Sequence, residues 1–213
     1  DTTIPAVQNI SLTVNKGEIV AIVGESGSGK SVTALAVVQL LPTPPAVYKT
    51  GTILFSNENK EINLLNYAPT EMQQLRGNKI AMIFQEPMTS LNPVMTCGKQ
   101  VAEAITLHKK KDSTAARKQT IELFQHVQLP NPEKIFNKYP HEISGGQKQR
   151  VALARTLLEQ PDMLILDDTT SAVDTETEYA IQRELKNYLN NKTSIIVANR
   201  IVSVMDCDQI LVL

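Results

Sequence analysis

Residues 18 to 31 read Glu18-Ile19-Val20-Ala21-Ile22-Val23-Gly24-Glu25-Ser26-Gly27-Ser28-Gly29-Lys30-Ser31. The first six positions form a short, β-branched apolar run, which predicts a buried strand. A helical apolar pattern from Val32 to Leu41 follows the glycines, and the prolines from Pro42 onward are expected to end it. The stretch therefore predicts a strand, a loop and a helix, the context that supports a phosphate-binding GxxxxGK[ST] loop.

Each residue type in this loop suits a triphosphate. Glycines let backbone N–H groups approach phosphate oxygens closely. Lys30 supplies a positive charge to the β- and γ-phosphates, the hydroxyl of Ser31 can ligate Mg²⁺, and the following helix N-terminus is electropositive. We therefore predict ATP and Mg²⁺ as cofactors. All eight loop residues are predicted to bind the nucleotide: Gly24, Glu25, Ser26, Gly27, Ser28, Gly29, Lys30 and Ser31.

A second apolar strand, beginning at Met163, ends on the acids Asp167 and Asp168. In nucleoside triphosphatases with this type of loop, the acid that ends such a strand holds the metal. We predict that Asp167 shares the Mg²⁺ with Ser31.

Strand patterns alternate with helical ones along the chain, which favours a mainly parallel sheet covered on both faces. The predicted fold class is α/β, a P-loop NTPase (RecA-like) core with an N-terminal antiparallel β portion and an inserted α-helical subdomain. We expect a single domain over residues 1–213, with its core at 1–87 and 145–213 and the helical subdomain at about 88–144. Helices are predicted between Val101 and Val127, with a cap near Asp112, and again from Ile181 to Leu189.

The composition excludes several classes of function. With 21 basic and 22 acidic residues, the chain has no broad positive surface for nucleic acid. Its two cysteines have no CxxC spacing, so neither a disulfide framework nor a zinc site is indicated. No apolar run approaches the roughly 18 residues that cross a bilayer. The chain starts without Met and stops in an apolar run, so we expect a trimmed domain.

A second glycine-rich motif, Ser144-Gly145-Gly146-Gln147, places a hydroxyl and bare amides at a helix start. Together with the phosphate loop, Gln85 and Asp167, it makes the chain resemble the nucleotide-binding domain of ABC ATPases over its whole length. The resemblance implies a head-to-tail dimer with a second cassette, identical or different, in which residues 144 to 147 contact the ATP on the partner's loop. Gln85 would lie at the metal and the γ-phosphate as a catalytic residue, and Asp174 would cross the dimer interface.

We call residues 144 to 147 the signature motif. The segment from Met82 to Pro93, together with Tyr139-Pro140-His141-Glu142 just before the signature motif, looks most like the ATPase subunits of dipeptide and oligopeptide importers. This likeness implies peptide uptake, transmembrane permease subunits as partners, and a position at the cytoplasmic face of the cell membrane. After about Val151 the sequence is more similar to exporter cassettes. The resemblance therefore does not decide between import and export.

Two catalytic positions depart from the family pattern: Asp168 stands where Glu is usual, and Asn199 where His is usual. The shorter acid withdraws the carboxylate by about 1.5 Å, a bond length. Misplacement of that order can cost about a hundredfold in rate. One hypothesis is a degenerate cassette that binds ATP, hydrolyses it slowly and supports an active partner. A slow homodimer is the alternative.

Two other classes of function are to be weighed against a transport ATPase. A soluble, non-transport ABC ATPase of the chromosome type would need a long coiled coil between Gln85 and Ser144, and the chain has no room for it. A nucleotide-gated binding module without useful turnover is the other class.

Overall fold

The computed structural model describes residues 4–57, 60–84, 91–109, 112–158, 161–167, 192–199 and 204–213. Seven strands and six α-helices lie in these ranges, besides short 3₁₀ turns at Leu64–Asn66 and Pro140–Glu142. In chain order they are β1 (Ile19–Val23), α1 (Lys30–Val37), β2 (Leu54–Asn57), β3 (Lys60–Asn63), α2 (Pro69–Leu75), β4 (Ile80–Ile83), α3 (Cys97–Lys109), α4 (Ser113–His126), α5 (Pro132–Asn137), α6 (Gly145–Leu157), β5 (Met163–Asp167), β6 (Thr193–Ala198) and β7 (Gln209–Val212).

Five strands form one sheet in the order β4-β5-β6-β1-β7. The pairs β1–β6, β1–β7 and β5–β6 are parallel, as predicted. The register sets Val23 beside Ala198, and Asp167 beside Val197. The carboxyl ends of three neighbouring strands therefore lie at one edge of the sheet, where open α/β sheets bind ligands.

Both faces of the sheet are covered, which is why its strands are continuous apolar runs. Successive side chains on β1 point to opposite faces, so Ile22 joins a large core that contains Ile165, Ile195 and Val197. Ala21 and Val23 belong to a smaller cluster with Ala198 and Val204. Burial on both faces fixes the register of β1, because a slip of one residue would exchange these two sets.

Helix α1 ends at Val37, before the prolines that were expected to stop it. Gln39 adopts a left-handed conformation with φ 50°. Its N–H donates to the carbonyl of Ala36, and the N–H of Leu40 donates to that of Leu35, which is the hydrogen-bond pattern of a Schellman motif. The backbone turn, and not proline, therefore terminates the helix.

The predicted N-terminal antiparallel β portion is present. Strands β2 and β3 pair antiparallel, with Leu54 opposite Asn63. Helices α2 and α5 were not predicted individually; each is short and begins at a proline. Proline is well tolerated in the first turn of a helix, where its missing N–H has no partner to lose.

Helices α3 to α6 lie together. Asp112 caps α4, as predicted, because its side chain accepts a hydrogen bond of 2.8 Å from the N–H of Ala115. Ile105, Ala116 and Leu158 form a buried cluster between the helices. Within the described ranges, no helix combines the length and the apolar character needed to cross a membrane.

By their mutual contacts the residues form two compact units. The first comprises residues 1–82, 162–167 and 191–213, and includes the phosphate loop. The second comprises residues 83–161 and 168–190, and includes α3 to α6. The domain boundaries and the subdomain boundaries predicted from the sequence remain a prediction. The predicted helix at residues 181 to 189 lies outside the described residues.

Candidate functional site

The glycine-rich loop joins β1 to α1 and depends on glycine at two close approaches. Gly29, the N-cap of α1, is left-handed with φ 96°. A Cβ at this position would lie 2.7 Å from the carbonyl oxygen of Ala6. A Cβ at Gly24 would overlap the carbonyl oxygen of Leu213. Both glycines are thus required by the close packing of the loop against distant segments of the chain.

Lys30 opens helix α1 and is almost fully buried, with 6% of its surface exposed. Its Nζ donates hydrogen bonds to the carbonyl oxygens of Gly24 (2.9 Å) and Glu25 (2.7 Å). Two backbone carbonyls of the loop therefore fix the position of the Lys30 ammonium. An ammonium has three N–H donors, so this geometry is compatible with a further contact to a phosphate oxygen.

The hydroxyl of Ser31 donates a 2.8 Å hydrogen bond to Oδ1 of Asp167. The two residues are 136 positions apart in the chain and meet because the first turn of α1 faces the end of β5. Asp167 is 4% exposed. A hydroxyl and a carboxylate side by side are hard oxygen ligands of the kind that Mg²⁺ prefers.

These residues fit a magnesium triphosphate. The Ser28 hydroxyl is buried and has no hydrogen-bond partner among the described residues, so a polar ligand would satisfy it. In the same part of the chain no group of three or more His, Cys, Asp or Glu could hold a metal ion. A Mg²⁺ at Ser31 and Asp167 would therefore take further ligands from phosphate oxygens and water, as is usual for this ion.

Asn199 lies at the same edge of the sheet. It directly follows β6, whose last residue, Ala198, pairs with Val23, the residue before the loop. Asn199 is exposed, and its amide can donate to or accept from a ligand without carrying a charge. The sheet thus brings the phosphate loop, Asp167 and Asn199 together at adjacent strand ends.

The second motif starts α6, in the other unit. Ser144 is the N-cap: its Oγ accepts a hydrogen bond from the N–H of Gln147 (3.3 Å), and Oε1 of Gln147 accepts one from the N–H of Ser144 (3.1 Å). This is a capping box. Gly146 is buried and Gly145 half-buried, whereas Ser144 is exposed. The Ser144 hydroxyl proton can still be donated to a ligand, since the cap uses the oxygen only as an acceptor.

The predicted residues Gln85, Asp168 and Asp174 lie outside the described residues. Their roles, and those of the other site residues, remain predictions.

Chain segments far from the motifs also support the loop, and the sequence analysis missed them. The carbonyl of Ala6 and the side chain of Val7 lie against Gly29. Leu213 donates its N–H to the carbonyl of Val23 at 2.9 Å. Neither segment carries a polar or glycine-rich signal, so only the tertiary structure identifies them.

The two cysteines take no part in this chemistry. Burial raises the pKa of the Cys97 thiol to about 11 and that of the Cys207 thiol to about 11. A thiol must be deprotonated to act as a nucleophile or a metal ligand. Both thiols are therefore neutral at physiological pH, and their function is packing.

Relatives with known names align with most of this sequence. The chain is 46% identical over 195 residues to the oligopeptide transport ATP-binding protein OppD of Bacillus subtilis, a match that covers 91% of this chain and 53% of the relative. It is 43% identical over 195 residues to the dipeptide transport ATP-binding protein DppD of the same organism, covering 92% and 57%. The chain thus spans about half the length of these relatives.

Solved structures agree with the fold. The ATP-binding cassette MJ0796, in a dimeric post-hydrolysis state bound to ADP and Pi, superposes with a TM-score of 0.80 at 29% identity, covering 98% of this chain and 86% of that one. This confirms the predicted fold class. The family model described as ABC transporter matches residues 7–171. The family predicted from the two glycine-rich motifs is confirmed, and the chain belongs to the ABC transporter family.

Proposed function

We propose that the chain binds and hydrolyses Mg·ATP and thereby powers the uptake of peptides by an ABC transporter. The observation that carries the proposal is the contact between Ser31 and Asp167 beside the buried Lys30, a metal and phosphate site assembled from distant parts of the chain. The peptide specificity is supported by the similarity to OppD and DppD, whose names specify oligopeptide and dipeptide transport.

Each residue has a physical task in this proposal. Lys30 neutralises charge on the β- and γ-phosphates, and the bare loop amides and the N-terminus of α1 bind their oxygens. Ser31 and Asp167 hold Mg²⁺, which offsets the negative charge that develops on the phosphates. Gln85 lies at the metal and the γ-phosphate and orients the attacking water, Asp168 is the general base that deprotonates this water, and Asn199 donates a hydrogen bond toward the γ-phosphate.

The partners are a second cassette and transmembrane permease subunits. In this arrangement two cassettes pack head to tail, so that Ser144, Gly145, Gly146 and Gln147 of one cover the ATP bound to the other, and Asp174 links the two sites. MJ0796 is dimeric in its structure bound to ADP and Pi, which supports a cassette dimer here. The chain would act at the cytoplasmic face of the cell membrane.

Two measurements test this function, one on the purified chain and one in cells. Titration calorimetry with ATP, with and without Mg²⁺, is expected to show binding that Mg²⁺ strengthens and that Lys30→Met weakens about a hundredfold. Cells that lack the gene are expected to lose uptake of labelled di- and oligopeptides and to regain it with the wild type, but not with Lys30→Met. ATP binding without any effect on peptide uptake would contradict the peptide assignment and leave the nucleotide site intact.

A second candidate is a cassette with little turnover of its own. Asp168 has a shorter side chain than the usual Glu, and Asn199 cannot relay a proton. Asn199 lies exposed at the strand ends beside the phosphate loop, where such a relay would act. The double variant Asp168→Glu, Asn199→His is expected to raise kcat about a hundredfold if these residues limit turnover. Equal rates for the wild type and the double variant would rule out the degenerate cassette.

A further inference from the structure

An exposed pair of aromatic rings lies just before the signature motif. The rings of Tyr139 and His141 are stacked, with centroids 5.6 Å apart and planes inclined by 14°. Tyr139 is 40% exposed and His141 is also exposed. At this exposure part of each side chain is accessible, and an offset-stacked pair can accept a third planar group.

The backbone under these rings is fixed by its own hydrogen bonds. Oε2 of Glu142 accepts from the N–H of Tyr139 (2.7 Å), and the N–H of Glu142 donates to the carbonyl of Tyr139 (3.0 Å). Pro140 and Ile143 are buried, so they anchor the segment and turn Tyr139, His141 and Ser144 outward. The rings are therefore preorganised, which lowers the entropy that a ligand must overcome.

We propose that the Tyr139–His141 pair stacks on the adenine base of the ATP held by the phosphate loop of a second copy of this chain. The inference rests on the proposed function, in which Ser144 faces that ATP at its γ-phosphate. His141 precedes Ser144 by three residues, a separation that the backbone can extend to about 10 Å at most. In ATP the base and the γ-phosphate are at opposite ends of the molecule, so a surface that binds both must offer an aromatic group at some distance from the signature.

The chemistry of the pair suits a base better than a phosphate. Neither side chain is a permanent cation, and the flat faces of Tyr139 and His141 offer π surface. Stacking of a base on aromatic side chains contributes about 1–3 kcal/mol, which corresponds to roughly a 5- to 150-fold change in affinity. The pair would thus add to the stability of the ATP-bound dimer without adding to ATP binding by one chain.

A photolabelling experiment can locate the base directly. A chain that carries Lys30→Met, with intact rings, is mixed with a chain that has an intact loop and the changes Tyr139→Leu and His141→Leu. We expect 8-azido-ATP, bound by the second chain, to label the Lys30→Met chain at residues 139 to 141. Label found only on the chain with the intact loop would overturn the proposal.

ATP-driven dimerisation provides the second measurement. It distinguishes stacking of Tyr139 on the base from a purely structural role of this side chain in its own segment. In light scattering, ATP-driven dimers of Tyr139→Leu are expected to be about tenfold weaker, whereas Tyr139→Phe, which keeps the ring, forms dimers like the wild type. Replacement of ATP by CTP, which has a smaller base, should reduce the effect of Tyr139→Leu. An equal loss with both nucleotides, or ATP binding by the wild type without dimers, would refute the proposal. Absence of ATP binding to the wild type would instead refute the proposed function.

Discussion

The phosphate loop and the signature motif look equally local in the sequence, yet their structures are maintained in opposite ways. The loop relies on distant segments: Ser31 bonds to Asp167 across 136 residues, and Gly29 lies against Ala6. The signature is maintained from within, because Ser144 and Gln147 cap each other at a separation of three residues. The comparison predicts that substitutions in the loop affect the whole unit, whereas substitutions at the signature have small local effects on stability.

The largest effect is expected for Gly29→Ala. An alanine would be strained at φ 96°, and its Cβ would collide with the carbonyl oxygen of Ala6. Backbone strain of this kind costs about 1–2 kcal/mol, and overpacking costs about 1–3 more. We expect the free energy of unfolding, measured in urea, to fall by about 3 kcal/mol or more.

Gly77→Ala is the matched control, because Gly77 is also left-handed, at φ 80°, but a Cβ there meets nothing within 4 Å. This variant is expected to lose only the cost of the backbone strain, about 1–2 kcal/mol. Equal losses for the two glycines would show that the contact with Ala6 is unimportant and that the loop is as local as the signature.

Next in size is the effect of Lys30→Met on nucleotide affinity. The change removes the buried ammonium that bonds to the carbonyls of Gly24 and Glu25 and would contact the phosphates. A hydrogen bond to a charged group contributes about 1.5–3 kcal/mol, so the loss of one or two such bonds to ATP weakens binding about a hundredfold. Calorimetry measures this directly. Lys134→Met, at an exposed position of α5, should bind ATP like the wild type.

The same contrast explains what the sequence could predict. The strand and glycine pattern around Gly24 to Ser31 is a local signal, so the loop, β1 and the start of α1 were predicted correctly. The Schellman turn at Gln39 was missed, because the adjacent prolines gave a stronger and misleading stop signal.

Long-range support carries almost no local signal. Arg76, the C-cap of α2, donates hydrogen bonds to the carbonyls of Val38 (2.7 Å) and Gln39 (2.9 Å). It thereby satisfies two carbonyl groups that follow the end of α1. A lone arginine gives no hint of this in the sequence. The pairing of Ser31 with Asp167 could be anticipated only because the chemistry of a metal site requires a hydroxyl and an acid together.

A smaller change is expected for Ser31→Ala, which removes one metal ligand and the bond to Asp167. The affinity for ATP should fall about tenfold in the presence of Mg²⁺ and change little in its absence, since one hydrogen bond or ligand contributes roughly 1–2 kcal/mol. Thr33→Val is the control. The Thr33 hydroxyl donates at 2.9 Å to the carbonyl of Gly29, the N-cap of α1, so this variant also removes one hydroxyl and one hydrogen bond from the same helix. If both variants lose the same affinity with and without Mg²⁺, Ser31 has a structural role alone.

The smallest effect on stability is expected at the signature, where Ser144→Ala removes one half of a capping box. Loss of an N-cap costs about 1 kcal/mol. Asp112→Ala offers a matched loss, because Asp112 caps α4 in the same unit with a 2.8 Å bond to the N–H of Ala115. We therefore expect both variants to lower the free energy of unfolding equally and to leave ATP binding by the single chain unchanged.

The variants Ser144→Ala and Asp112→Ala should differ in their effect on ATP-driven dimerisation. If Ser144 donates its hydroxyl to the ATP of a partner cassette, Ser144→Ala weakens ATP-driven dimers by about tenfold, which corresponds to one charge-assisted hydrogen bond, and Asp112→Ala does not. Equal weakening by both variants would mean that dimers respond only to the stability of the helical unit. Because the capping box uses the Ser144 oxygen only as an acceptor, Ser144 can stabilise its own helix and bind a partner's nucleotide at the same time.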